Sequence, residues 1–219
     1  MSIYAKSEGE SKRELIPAGS HIARCYSMIH LGTITEQYKD EEKVQNKINV
    51  TFEVPGEMRV FNEDNGEQPM VIGKDYTLSM HEKSNLRKDL ESWRGQSFTE
   101  AEAKNFDVTK LLGVPCMLSV IHKTSKSGND YAYIAGISGL PKNVTCPKQI
   151  NPTFEFNYDD KFSTSFVEDL PEFLRDKIKS SVEYKDRIEE LMSDEADKEL
   201  KKQAVAEPEE ITPSDDLPF

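Results

Sequence analysis

The segment His122-Lys123-Thr124-Ser125-Lys126-Ser127-Gly128-Asn129 places two lysines in a stretch with no acid until Asp130, and Tyr131 and Tyr133 follow at alternate positions. Ammonium groups neutralise phosphates and aromatic rings offer faces for bases, each stacked base contributing about 1–3 kcal/mol. Together they are the chemistry of holding a single-stranded nucleic acid. Residues 110–148 hold five Lys and one acid in a chain of formal net charge −12, so this stretch runs against the charge around it. Arg24, Tyr26 and His30 alternate along a second segment; Lys47, Arg59 and Phe61 belong to a third, and Lys74 opens a fourth. All are candidates for the same surface. The plainer alternative has Lys123 and Lys126 solvating a hairpin tip and the tyrosines filling a core.

A second constellation is Asp215-Asp216-Leu217-Pro218-Phe219, with two carboxylates leading into an apolar, aromatic tip. It suits a partner pocket with an apolar floor and a basic rim. Catalytic patterns are lacking by comparison. Gly136-Ile137-Ser138-Gly139 has the wrong spacing for a phosphate-cradling loop, and His81-Glu82 lacks the second His of a helical zinc motif. His21, His30, His81 and His122 are scattered, and Cys25, Cys116 and Cys146 form no C-x-x-C pair. The expectation is therefore no metal, no cofactor, no disulfide framework and no enzymatic activity. A nuclease would need clustered carboxylates; Glu36, Asp40, Glu41 and Glu42 come nearest, and they read as a solvated loop.

Strands and one helical segment must position these groups. His21–Leu31 alternates, with Ala23, Cys25, Ser27, Ile29 and Leu31 on one face and Ile22, Arg24, Tyr26, Met28 and His30 on the other. Residues 46–54 alternate more cleanly, with Ile48, Val50, Phe52 and Val54 inward, and Pro55-Gly56 closing the strand after a charged loop over about 39–45. Gly73–His81 reads as a third strand. Ser84 caps a helix carrying Leu86, Leu90 and Trp93 on its core face, and Thr99 to Glu102 has capping-box spacing. Residues 114–122 and 130–138 are strands four and five. Three strands, a helical segment and a two-strand hairpin are the order of a five-stranded OB-type barrel, a mainly β fold with α additions. A variant SH3-like barrel is the structural rival.

The expected organisation is a flexible segment over 1–17, the barrel over 18–141, an extension with helices over 142–192 and a disordered acidic tail over 193–219. Leu170-Pro171 opens helical spacing through Phe173, Leu174, Ile178, Tyr184, Ile188 and Leu191 to Met192. Residues 1–150 hold 19 Lys and Arg against 20 Asp and Glu, and residues 151–219 hold 9 against 20. An acidic total therefore leaves a nucleic-acid face open, because the surplus sits in the last third. No run has membrane-spanning length and no apolar signal segment precedes the fold, so an intracellular setting is expected.

At these residues the chain resembles the single-stranded-DNA-binding proteins. The tip Asp215-Asp216-Leu217-Pro218-Phe219 looks like the acidic, Pro-Phe-terminated tail of the bacterial family. The front is similar to a divergent bacteriophage-encoded version in Ala23-Arg24-Cys25, His30-Leu31-Gly32-Thr33 and Asp107 through Cys116. Leu170-Pro171-Glu172-Phe173-Leu174-Arg175-Asp176-Lys177-Ile178 adds to these. The resemblance implies an OB fold and sequence-tolerant coating of single-stranded DNA in phage-type replication or recombination. It also implies a tail that recruits partner enzymes, in the host cytoplasm, with room for a homo-oligomer. The rival reading is a small-barrel adaptor that binds helicase or primase and touches DNA little.

Overall fold

The computed structural model describes residues 14–38, 41–159 and 162–205, excepting the side chains of Tyr38 and 194–205. Its elements are β1 (Gly19–Tyr38), β2 (Glu41–Val60), β3 (Glu67–Thr77), α1 (Asn85–Arg94), α2 (Glu100–Lys104), β4 (Pro115–Thr124), β5 (Asp130–Ser138), β6 (Phe154–Phe156), α3 (Thr164–Glu168), α4 (Glu172–Ser180) and α5 (Val182–Val205). Short 3-10 turns lie at Glu63–Asn65 and Val108–Leu111. The fold is mainly β. Five antiparallel strands run in the order β3-β2-β1-β4-β5, and β6 adds to β1 in parallel. No ladder joins β3 to β5 among the described residues, so the sheet is open.

The inward face of β2 is the one its alternation predicts, with Ile48, Val50, Phe52 and Val54 all buried. The strand is longer than expected at both ends. It runs past Pro55-Gly56 to Val60 through an irregularity between Val54 and Met58, the kind of place where a proline without an N–H is tolerated. At its start Tyr38 pairs with Glu41, so residues 41–45 of the expected charged loop over 39–45 are ladder, while 39–40, with the candidate Asp40, lie outside the described residues.

β1 departs from its simple alternation at two register shifts, between Cys25 and Ser27 and between His30 and Gly32, and the first decides which core each side chain enters. Cys25 pairs with Phe52 and Ser27 with Thr51, leaving Tyr26 as an extra residue, and such a bulge swaps which side chains point to which face. Met28 therefore joins Ala23 and Cys25 in the main core, while Ile29 and Leu31 enter a second core on the opposite face. Beyond the bulge, β1 is buried on both sides.

The main core is closed by α1. The Ser84 hydroxyl accepts from Arg87 N at 3.2 Å, Gly95 ends the helix at φ +71°, and Leu86, Leu90 and Trp93 face inward as expected. Trp93 Nε1 donates to Pro115 O at 2.9 Å, so its one polar atom is satisfied under burial. The Thr99–Glu102 capping box of α2 is formed. Cys25 and Cys116 are buried in this core, where loss of water pushes the Cys25 thiol up to about 12, and all three cysteines are free.

The second core belongs to the C-terminal extension, laid over the outer face of β1 and β2. Phe154, Phe156, Tyr158, Phe162 and Phe166 surround Ile29 and Leu31, and Val167, Leu174 and Ile178 complete it. The rings of Phe154 and Phe166 stack at 4.8 Å and those of Phe156 and Phe166 at 5.2 Å. Burying each such aliphatic or aromatic side chain contributes roughly 1.5–3 kcal/mol, so this extension is part of the folded unit. The single helical run expected up to Met192 breaks at Ser181, whose hydroxyl accepts from Tyr184 N at 3.2 Å and starts a new helix. Gly32, at φ +83°, lets that helix start come close: a Cβ there would lie 2.7 Å from Ser181 Cβ.

α5 then continues to Val205, through residues expected to begin the unfolded tail. No Gly or Pro interrupts 182–205, and strong helix formers dominate it. Residues 206–219 lie outside the described residues, as does most of the 1–17 segment. Among the described residues, no helix is long and apolar enough to cross a membrane.

Candidate nucleic-acid interface

Four of the sequence-predicted residues meet at the edge strands. The β4–β5 ladder sets Lys123 opposite Tyr131 and Ile121 opposite Tyr133, which puts all four side chains on one face. Lys123 Nζ stands 3.3 Å from the centroid of the Tyr133 ring. From β3, Lys74 Nζ reaches to 5.9 Å of the same ring and 5.1 Å of the Tyr76 ring. Tyr133 thus has a cation from each of two strands that share no ladder, an arrangement attractive to a ring's negative face. Asp89 of α1 places Lys74, accepting from its Nζ and from the Tyr76 hydroxyl, both at 2.7 Å. Burial first, then the charge of Asp89, pushes the Tyr76 hydroxyl far above its ordinary range, so Tyr76 stays a neutral donor.

Beside this cluster Tyr131 is 41% exposed and Ile121 39%. Lys126 projects from the turn, which closes through Ser125 N donating to Asn129 O at 2.8 Å with Gly128 at φ +86°. No ion pair to Lys123 or Lys126 occurs among the described residues. The hairpin therefore offers two ammonium groups without an ion pair among the described residues, one of them set on the Tyr133 ring, together with an exposed ring and an exposed aliphatic side chain. Ile121 was not among the sequence candidates. The available signal was an apolar residue on the outward register of strand four, out of phase with Cys116, Leu118 and Val120.

The other candidates do not join this cluster. Arg24 donates from Nη1 to Gly113 O at 2.6 Å and from Nη2 to Pro147 O at 2.9 Å, tying β1 to the turn before β4 and to the extension. Tyr26 sits half-buried on the bulge, where burial and then the nearby Glu53 charge raise its hydroxyl pKa. His30 hydrogen-bonds Asn46 Oδ1 at 2.7 Å and meets the Tyr158 ring edge-on at 5.4 Å. Lys47 pairs with Glu36 at 2.5 Å. Arg59 forks onto the Glu14 carboxylate through two 2.8 Å bonds, and Phe61 is exposed just past the end of β2. Asp215, Asp216, Leu217, Pro218 and Phe219 lie outside the described residues.

The outer face of β1–β3 is where the extension attaches, and its polar groups are matched to protein atoms. Glu53 is 0% exposed and accepts from Ile150 N at 3.1 Å and from Asn151 N and Nδ2 at 2.8 and 3.0 Å. Asp75 accepts from Asn49 at 2.7 Å and pairs with Lys177 of α4. Thr33 donates through N and Oγ1 to Glu183 at 2.6 and 2.7 Å, and the Tyr158 hydroxyl donates to Leu31 O at 3.0 Å. Beneath the extension the Glu53 and Asp75 carboxylates lie beside the Arg24 guanidinium, so uncovering this face would uncover mixed charge.

A cleft of about 440 Å³ opens between the β2–β3 end and the start of α1, lined by Lys47, Asp75, His81, Lys83 and Ser84 among others; its charge is mixed. Among the described residues, no three His, Cys, Asp or Glu side chains gather as a metal site, and Glu36, Glu41 and Glu42 lie along the β1–β2 hairpin. Comparison with protein-family models and with curated proteins gives no match.

Proposed function

We propose that this chain binds single-stranded DNA without sequence preference and performs no catalysis, contacting the strand through the β4–β5 hairpin. The observation that carries the reading is Tyr133 approached by both Lys123 and Lys74, with Tyr131 exposed alongside and Lys126 at the tip without an ion pair among the described residues. Two or three cations would follow the phosphates while Tyr131 stacks a base. The strand order, with helices between β3 and β4, supports an OB-type barrel whose seam lies between β3 and β5. In that fold the loop between strands four and five is one of the binding elements. The resemblance of the tip and the front to phage-type single-stranded-DNA-binding proteins supports the same reading. It extends it to replication or recombination inside a host cell, with Asp215 to Phe219 taking up a partner enzyme.

A second reading is favoured by one observation. The outer face of strands two and three, the other binding surface expected of an OB barrel, is partly covered by the extension and carries Glu53 and Asp75. An adaptor that binds a helicase or primase and touches DNA little would have this appearance. Titrating intrinsic fluorescence with oligo(dT) at two salt concentrations separates the two. The DNA-binding reading expects saturable binding that weakens with salt, with a slope near −0.7 per phosphate neutralised. No binding at low salt would leave the adaptor.

A further inference from the structure

Beyond the reach of the extension, the outer face of β2 and β3 turns apolar. The register places Val60 opposite Glu67, Met58 opposite Pro69, and Glu53 opposite Val71. Residues two apart on a strand share a face, so exposed Val60 and Val71 lie on one face, with half-buried Met58 and buried Pro69 between them. At the Val71 end, Glu53 holds the amide of Ile150, the margin of the extension. Val60, Val71 and Ile150 are 56%, 47% and 46% exposed. β3 is also an edge strand, so this apolar strip runs beside an open backbone edge, a combination that natural proteins usually cover.

The charge around the strip selects what covers it. Glu63, Asp64 and Glu67 are exposed at its Val60 end. Arg59, the cation nearest them in sequence, is engaged by Glu14, and Lys148 stands exposed at the Ile150 end. Phosphates would meet three carboxylates here, which argues against nucleic acid. A two-fold pair of this chain would set one Lys148 against each trio of acids, an unbalanced match. We propose that the strip docks a protein partner presenting an extended apolar segment flanked by Lys or Arg, laid along β3. This surface is separate from both the β4–β5 hairpin and the Asp215–Phe219 tip, and it does not depend on the DNA-binding reading.

The probe is a labelled ten-residue peptide of alternating valine and lysine, with a valine–glutamate peptide as its counterpart, titrated into the full chain by fluorescence anisotropy. The lysine peptide is expected to bind at least tenfold more tightly. Val60→Asp with Val71→Asp should weaken it at least tenfold while leaving oligo(dT) affinity unchanged. Those substitutions add negative charge, so a merely electrostatic attraction to this acidic chain would strengthen instead. Glu63→Lys with Asp64→Lys and Glu67→Lys keeps the apolar strip and should reverse the peptide preference. Equal binding by the aspartate variant, or an unreversed preference, overturns the proposal. So does a dimer in sedimentation that Val60→Asp and Val71→Asp dissolve, or a loss of oligo(dT) binding in that variant.

Discussion

At the β4–β5 hairpin, Lys123 lies on a tyrosine ring and Lys126 has no ion-pair partner among the described residues, while Tyr131 stands open to solvent. Where the extension meets the sheet, Arg24, Glu53 and Asp75 on the covered face and Glu183 on α5 are all held by protein atoms. The two regions draw on similar residue types, and their difference lies in where hydrogen-bond capacity is directed. A charge whose partners are backbone amides and carbonyls is a fastener; releasing it to bind a ligand would leave those partners unsatisfied at about 1–3 kcal/mol each. A lysine on a ring can exchange that contact for a phosphate at far lower cost. On the proposed reading the hairpin serves a ligand, while the contacts of the covered face serve the fold.

The largest expected effect that would break this contrast is on stability. Glu53→Ala leaves three part-buried donors without their acceptor and should destabilise the chain by about 2–3 kcal/mol, measured by urea unfolding. The DNA affinity of the protein that remains folded should stay within about twofold; a tenfold drop would place the covered face in the binding site. At the hairpin, Lys123→Glu with Lys126→Glu should weaken oligo(dT) binding by roughly tenfold or more and reduce the salt slope by about 1.4, with the urea midpoint nearly unmoved. Arg24→Ala should show the reverse pattern. Loss of its two carbonyl contacts should cost about 1–3 kcal/mol of stability with little change in affinity.

Acid gives the smallest and most graded contrast. Desolvation pushes the Glu183 carboxyl up, and the hydrogen bonds from Thr33 more than offset it, so its folded-state pKa lies below the ordinary range. Its stabilising contribution is then complete above about pH 4.3 and is lost as pH falls through the depressed value. Glu102, in the α2 capping box, is held lower still, at about 2. As pH falls, hydrogen exchange should therefore show the start of α5 loosening from β1 before α2 loses its cap. Glu183→Gln should remove the acid sensitivity of the α5 contact alone.

Much of the main core was legible in the sequence because its signals are local and periodic. The inward face of β2, the Ser84 cap, the stripe of Leu86, Leu90 and Trp93, and the 130–138 strand all follow from nearest-neighbour rules. The second core was not. It depends on an extra residue, Tyr26, which rotates Ile29 and Leu31 onto a face that the simple alternation assigns elsewhere. It also depends on aromatic residues 154–166 that have no period of their own until β1 orders them. The same limit applied to the site. The spacing of Lys123, Lys126, Tyr131 and Tyr133 marks a surface hairpin. That Arg24 and Arg59 are committed to Gly113, Pro147 and Glu14 rests on contacts between residues far apart in the chain.

The central claim is that ligand-binding capacity resides in the hairpin and not in the face beneath the extension. Its most direct measurement is a side-by-side fluorescence titration of oligo(dT) into the wild-type chain, the Lys123→Glu/Lys126→Glu variant and Arg24→Ala, at one low and one moderate salt concentration. The expected result is binding by the wild type and Arg24→Ala with equal affinity and equal salt slope, and at least tenfold weaker, flatter binding by the hairpin variant. Equal binding by all three, or a selective loss in Arg24→Ala, would contradict it.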